Sequence, residues 1–377
     1  MAADIVVKPV SDKSMLKTFV LFPWTSGIYK DDPAWVPPII SGQMKFLGRE
    51  KGYIYDIGEV ELFIAYLDGK PVGRISAHIN RLYEKKYDHV TGFFGFFESI
   101  PSQNVADALF GSAENWLNDR GKTRIQGPQS FSIYDSVGFD VEGNDITPVV
   151  GLMHFRPYYK ELAETYGFRK CIDWYCYLVR DIEDYQSYLR EVKQDLMKNQ
   201  NITYTTLQRK DIKQRARELH EIFNVAWDGN WGHLPLTDKQ FEVFFRELKE
   251  VIIPELAIFA HDGNKTIGFC ISIADANLGL QILNGRLYPW RLLKALKAIR
   301  RSKKIRTIVM GVLPEYRGRH IDDVFYLKTI ETGVGMGFNA SDCSLIVETN
   351  RKMIHAIEVL KAENYKTYRI FEKEIMV

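Results

Sequence analysis

Apolar positions along this chain fall into short alternating or continuous runs separated by amphipathic stretches, and one order of elements is written twice. Asp4 to Val10 alternates as a strand and leads into a helical stretch from Ser11 to Phe22. Asn201 to Gln208 does the same before the helical stretch Asp211 to Val225. A period of two marks a strand with one face buried, and a period of 3.6 marks a helix with one apolar stripe. Each helix gives way to a loop carrying Trp and Pro, AWVPP at Ala34–Pro38 and NWGHLP at Asn230–Pro235. A hairpin follows in both copies, with Asp68-Gly69 and Asp262-Gly263 predicted at the turns. Asp-Gly between apolar runs is a strong hairpin signal because both residues tolerate the positive φ that tight turns need.

Each copy then continues with a strand (TGFFGFFE; RTIVMGVL), a helix (Val105–Arg120; Ile321–Gly335) and another strand (TRIQG; CSLIVE). A last helix and strand close each copy, in YYKELAETYGFRKCIDWYCYLV and HAIEVLKAENYKTYRIFEKEI. The pattern predicts two domains on one plan, residues 1–190 and 191–377, joined by the charged, helix-prone stretch Asp184–Asn199.

The copies differ in their insertions. The first carries about thirty residues between Gly127 and Tyr158, holding Tyr134, Asp135, Asp140, Glu142, Asp145 and His154 among Phe, Val and Met. Loops of that length are often functional. Two readings are open: polar groups projecting into an apolar pocket, or a small extra hairpin packed on the other domain. The second copy carries Ala276–Lys304, whose tail NGRLYPWRLLKALKAIRRSKKIRT has nine Lys/Arg and no acidic residue. Leu292, Leu293, Leu296 and Ile299 recur there at helical spacing beside Trp290. Residues 286–306 then read as a membrane-surface helix, as a helix packing its stripe on the domain, or as an RNA-facing helix.

Composition adds little that is specific. A 377-residue chain exceeds one ordinary core, which agrees with two domains. A net charge of +2 argues against a polyanion as global partner, so nucleic acid is disfavoured and any basic patch must be local. Four cysteines are too few for a disulfide framework, and Cys171 and Cys176 point to opposite faces of one strand, so no metal site is expected. The N-terminus lacks signal-peptide regions and no apolar run approaches a bilayer span, which predicts a cytoplasmic protein, membrane-associated only through the basic insertion.

The segment from Ile305 to Asp322 carries the most chemistry. A buried strand ends in PEYRGRHID, a basic, Gly-containing turn that opens a helix. Free backbone N–H groups and the positive helix end there suit a phosphate. Val312 to Asp322 resembles the acyl-CoA pyrophosphate loop of the GCN5-related N-acyltransferases, Arg/Gln-x-x-Gly-x-Gly/Ala, with Arg317 in the first position but His320 and Asp322 where the glycines belong. The doubled element order is that family's fold as well. The resemblance thus implies a mixed α/β chain of two tandem domains, each a mostly antiparallel sheet flanked by helices. It also implies acetyl-CoA or a longer acyl-CoA as co-substrate. Thr91–Phe97 of the first copy runs into Glu98-Ser-Ile-Pro-Ser with no such loop, and an acid there repels a pyrophosphate.

By this resemblance Val312 would pair through its backbone with the pantetheine arm. Arg317, Gly318, Arg319, His320, Ile321 and Asp322 would wrap the pyrophosphate, and Asn350 would lie near the thiol end. The family's usual Tyr proton donor falls at Ile357, leaving Tyr316 and Tyr365 as substitutes. Glu348, Asp275 and His261 are the candidate bases, each equally a structural residue; Glu348, Asp275 and Tyr316 are carried forward as the catalytic set. Trp227, Asn230, Trp231 and His233 form an aromatic, polar-tipped loop where the family binds its acceptor, and Tyr134, Asp135 and His154 are the first copy's candidates.

An acyl-CoA-dependent N-acyltransferase acting on a small-molecule or lipid-like amine is the leading expectation. The layout is similar to bacterial tandem acyltransferase-like proteins, near which bacterial ceramide synthases fall. The alternatives are a degenerate acyl-CoA or lipid binder, favoured by His320, Asp322 and the missing Tyr, and an aminoacyl-tRNA-dependent transferase, which also pairs two such domains.

Overall fold

The computed structural model describes residues 4–182 and 201–376, so the Asp184–Asn199 connector lies outside the described residues. The N-terminal half runs β1 (Ile5–Pro9), α1 (Lys13–Thr25), α2 (Ile40–Phe46), α3 (Ile54–Ile57), β2 (Gly58–Leu67), β3 (Lys70–Asn80), α4 (Arg81–Lys86), β4 (Thr91–Ser99), α5 (Gln103–Asn118), β5 (Arg124–Gly127), β6 (Phe139–Glu142), α6 (Tyr158–Tyr166) and β7 (Arg169–Arg180). The C-terminal half runs β8 (Ile202–Thr206), α7 (Ile212–Ala226), α8 (Asp238–Val251), β9 (Ile252–Asp262), β10 (Lys265–Ala274), α9 (Asn277–Leu283), α10 (Pro289–Ile299), β11 (Lys304–Val312), α11 (Ile321–Gly335), β12 (Ala340–Val347), α12 (Arg351–Val359) and β13 (Glu363–Glu374). The order anticipated from the hydrophobic pattern is present twice.

The chain forms two compact units. The first holds residues 1–174, the segment Asn277–Ala295 and the C-terminal Lys366–Val377; the second holds Tyr175–Ala276 and Leu296–Tyr365. Strands β7 and β13 each begin in one unit and end in the other. In the first unit β1, β2, β3 and β4 pair antiparallel in sequence, β4 pairs parallel with β5, and β5 pairs antiparallel with Phe371–Glu374 of β13. In the second, β8, β9, β10 and β11 pair antiparallel, and β11 pairs parallel with β12. The strand pairing within each unit is therefore mixed and mostly antiparallel.

Helix α5 buries Val105, Ala106, Leu109, Phe110, Ala113 and Leu117, at the i, i+3, i+4 spacing of one face. Gly73 of β3 makes room for it, since a Cβ there would lie 2.7 Å from Leu109 and 3.1 Å from Val105. In the second unit Ile321 and Phe325 of α11 pack against Ile258, Ala260, Ile267 and Cys270. The first hairpin turns at Asp68-Gly69 as expected, with φ of 50° and 74°. The second turns one residue later, at Gly263-Asn264, because Asp262 stays in the ladder opposite Lys265.

The inserted helices correct one of the open readings. Ala295 is buried on α10, but Trp290, Leu292, Leu293 and Leu296 are exposed, so the stripe does not pack on the domain.

Candidate functional site

The parallel pair β11–β12 is registered over only three positions, Lys304↔Ala340, Ile305↔Ser341 and Arg306↔Asp342, after which no further pairing joins them among the described residues. The other edge of β11 stays on β10, where the Leu313 N–H donates to the Ile267 carbonyl at 2.9 Å. Backbone groups alternate along a strand, so Met310 and Val312 turn theirs to the unpaired edge. Both carbonyls are met by side chains: Trp227 Nε1–H donates to Met310 O at 2.9 Å, and Arg317 Nε–H to Val312 O at 3.4 Å. Two successive edge carbonyls thus accept N–H donors, the bond that a pantetheine amide would make there.

Beyond Val312 the chain makes a short 3-10 turn, Pro314–Tyr316, then an extended Arg317, Gly318 at φ 76°, and His320 in the left-handed region before α11 starts. Arg317 also donates through Nη2 to Ala226 O at 2.5 Å, tying this turn to the end of α7. Arg319 lies over the Tyr316 ring, 4.9 Å from its centroid. His320 Nδ1 contacts Asp323 Oδ2 at 2.7 Å, and Ile321 is buried. The turn therefore presents two guanidinium groups and a helix start. Asp322 opposes them. Its carboxylate lies in the first turn of α11, at the helix end that an anion would use. Local desolvation and Asp323 beside it push the Asp322 carboxyl upward even though the residue as a whole is exposed.

Asn350 caps α12, its side chain accepting the Met353 N–H at 3.2 Å. Together with Thr349, Arg351 and Lys352 it lines an open cleft of about 350 Å³ whose other wall is Gly229 and Asn230. The structure thus brings Asn230 and Asn350, named for acceptor and cofactor respectively, to one cleft. Glu348 is half-buried two residues before Asn350. Trp227 stacks on Phe223 at 4.8 Å and Trp231 is half-buried, whereas His233 is fully buried and tilted against Phe223. Asp275 is paired with Lys304 at 3.0 Å. The Tyr316 hydroxyl donates to Asp262 at 3.0 Å, a bond that raises the phenol's pKa. Position 357 is an isoleucine in the core with Tyr177, Ile346 and Ile354.

Sequence reasoning passed over Asp342, Arg351 and Lys352. Asp342 is buried where the strands part, accepts the Tyr365 O–H at 2.6 Å, and is pushed upward by burial. Its carboxylate in an apolar run (CSLIV preceded by SD) was the available signal. Arg351-Lys352 directly after the capping Asn was another.

In the first unit the matching place is filled. Beta4 and β5 register over Thr91↔Arg124, Gly92↔Ile125 and Phe93↔Gln126, and then the Gln129 N–H donates to Phe94 O at 2.8 Å. The long loop thus lies along β4, so close that a Cβ on Gly95 would stand 2.3 Å from Gln129 O. Three of its polar residues, Asp135, Asp140 and His154, are tied in two groups. Asp135 bonds Tyr53 and Ser132, the latter at 2.6 Å, with Tyr134 next to it. His154 is buried between Asp32 (2.9 Å) and Asp140 (3.3 Å), with Arg156 on Asp32 and Lys366 on Asp140 (3.0 Å). Glu98 is also buried; burial raises its carboxyl, opposed by Arg74, Tyr159 and Tyr29. The loop carries one short strand, β6, paired to β13, and its Asp135, Asp140 and His154 are engaged by side chains from elsewhere in the unit.

No family model matches the chain. It is 31% identical over 378 residues to Protein YghO of Escherichia coli (strain K12), covering 98% of this chain and 95% of that protein. It is likewise 31% identical over 382 residues to the bacterial ceramide synthase of Caulobacter vibrioides (strain NA1000 / CB15N), covering 99% and 98%. Among solved structures it resembles a tandem GNAT protein from the clavulanic acid biosynthesis pathway, with a TM-score of 0.57, 11% identity and 99% of each chain covered, a likeness of fold.

Proposed function

Because the chain belongs to the tandem GCN5-related N-acyltransferases, we propose that its second unit moves an acyl group from acyl-coenzyme A to the nitrogen of a lipid-like amine. The observation that carries this reading is the edge of β11 left without a partner strand beyond Arg306 among the described residues, running into a basic left-handed turn at the head of α11. Acyl-coenzyme A supplies an activated thioester carbonyl. Met310 and Val312 hold the pantetheine arm through their carbonyls, once Trp227 and Arg317 give them up. Arg317 and Arg319, with the N–H groups from Gly318 to Asp322, hold the diphosphate. Asn230 orients the acceptor at the cleft, Asn350 lies near the thiol end of the cofactor, and Glu348 takes the proton from the amine, directly or through one water. As the C–N bond forms the C–S bond breaks, and the departing thiolate takes a proton from solvent. The lipid character of the amine is supported by the name of the Caulobacter relative, which spans the whole chain.

A second reading, a binder of acyl-CoA without turnover, is favoured by Asp322 at the helix start. One experiment separates them. Binding of palmitoyl-CoA and acetyl-CoA is titrated, and thiol release is followed with a panel of long-chain amines. A like charge in a wet site costs about 1–4 kcal/mol, so Arg317→Glu should weaken binding at least tenfold and Asp322→Asn should strengthen it. Unchanged affinity in both variants defeats the placement of the diphosphate. Binding without thiol release, for every amine, supports the binder.

A further inference from the structure

Eight of the seventeen large hydrophobic side chains exposed among the described residues fall between Leu278 and Leu296. That concentration on helices α9 and α10 is not accounted for by packing or by the proposed chemistry. Their seat is firm. Trp24 Nε1–H donates to Asn284 Oδ1 at 2.9 Å, the Ile40 N–H to Gly285 O at 3.0 Å, and Gln281 Nε2–H to Pro33 O at 2.8 Å, all within the first unit. With Ala295 turned inward on α10, Trp290 and Leu293 point outward at 61% and 72% exposure, Lys297 follows at the next helical step, and Leu296 lies alongside. Tyr288 stacks on Trp290, 4.9 Å between ring centres, and widens the apolar surface.

Charge decides what covers it. Arg286, Lys294, Lys297, Arg300 and Arg301 are exposed along the same segment, and no acidic residue occurs between Asp275 and Glu315. A second copy laid face to face would set cations against cations. A nucleic acid would meet the charge but leave the leucines wet. An anionic bilayer satisfies both, because leucines and Trp enter the acyl boundary while Lys and Arg stay at the headgroups. We propose that the α9–α10 face docks the protein on anionic lipid surfaces. The proposal goes beyond acyl transfer and does not depend on turnover.

The test is co-sedimentation of the full chain with vesicles of phosphatidylcholine alone and of phosphatidylcholine with phosphatidylglycerol. Binding is expected to the anionic vesicles, falling with added salt. Each cation near such a surface is worth roughly fivefold in partitioning, so K294E/K297E should lose at least tenfold. W290S/L293S should also lose binding, and since these side chains are exposed both variants should melt like the parent. Both should keep palmitoyl-CoA binding measured in detergent, which separates failure of this surface from failure of the acyl-CoA site. Equal, salt-insensitive binding to neutral vesicles overturns the proposal. So does a concentration-dependent dimer abolished by W290S/L293S without vesicle binding, or a tRNA shift in place of one.

Discussion

His320 holds φ 59° and ψ 26°, a left-handed backbone that glycine adopts most readily. A side chain there costs about 1 kcal/mol or more, partly offset by the contact of its ring with Asp323 at 2.7 Å. The turn reaches the left-handed region without a glycine at that position, and Asp322 sets a carboxylate in the first turn of the helix. Identity and geometry can part company at single positions. His154 gives the sharper residue-level case, because burial opposes its charge yet Asp140 and Asp32 outweigh it and raise its pKa. A raised imidazole contributes stability that is whole below the unfolded value near 6.5 and is lost as pH rises through the folded value. Thermal unfolding midpoints should therefore decline above about pH 6.5. The decline should be shallower in His154→Asn, which removes the titrating ring. Parallel pH profiles for the two proteins would show that the ring is not charged in the fold.

At the scale of elements, the two copies use the same parting of parallel strands in opposite ways. Beta11 leaves its edge to side-chain donors, whereas β4 is covered by the chain that follows β5. Gly95 is the seam, with Gln129 O 2.3 Å from where a Cβ would sit and no flexible group able to yield. Gly95→Ala should cost about 3 kcal/mol or more, read as a fall in the denaturant midpoint, while Gly121→Ala meets nothing within 4 Å and is limited to the strain of its φ of 75°. The strand and helix order was legible because periods of two and 3.6 survive in the runs themselves. The helix Ile212–Ala226 falls within one residue of its expected bounds, Asp211–Val225, for that reason. The long loop was legible only as an inventory. Tyr53, Asp32 and Lys366, which hold its Asp135, His154 and Asp140, lie far off in sequence, and no local pattern announces them. Exposure of the α10 stripe was equally hidden, since Leu at helical spacing looks the same whether or not a partner covers it.

Over the whole molecule, the first unit draws its last strand segment from the far end of the chain. Phe371–Glu374 pairs with β5, and Lys366 enters a fully buried ion pair with Asp140 at 3.0 Å while donating to Gly143 O at 2.6 Å. Asp140 in turn accepts the Phe155 N–H at 3.1 Å and meets His154, so one lysine near the C-terminus neutralises the carboxylate that organises the long loop. Removing one partner of a buried pair strands the other charge, a loss of about 3–5 kcal/mol. Lys366→Met should therefore destabilise the first unit by that amount although it lies more than 220 residues from Asp140 in sequence. Five of the seven tryptophans, Trp24, Trp35, Trp116, Trp174 and Trp290, belong to that unit, so denaturant unfolding followed by fluorescence reports on it directly. Arg180→Ala breaks an exposed pair with Glu363 in the second unit and should cost under about 1 kcal/mol. If the two substitutions proved equally mild, the buried pair would not be holding the loop. The first unit's stability would then rest on its aromatic core of Phe94, Phe97, Phe110 and Phe139, and the C-terminal strand would be an accessory to it.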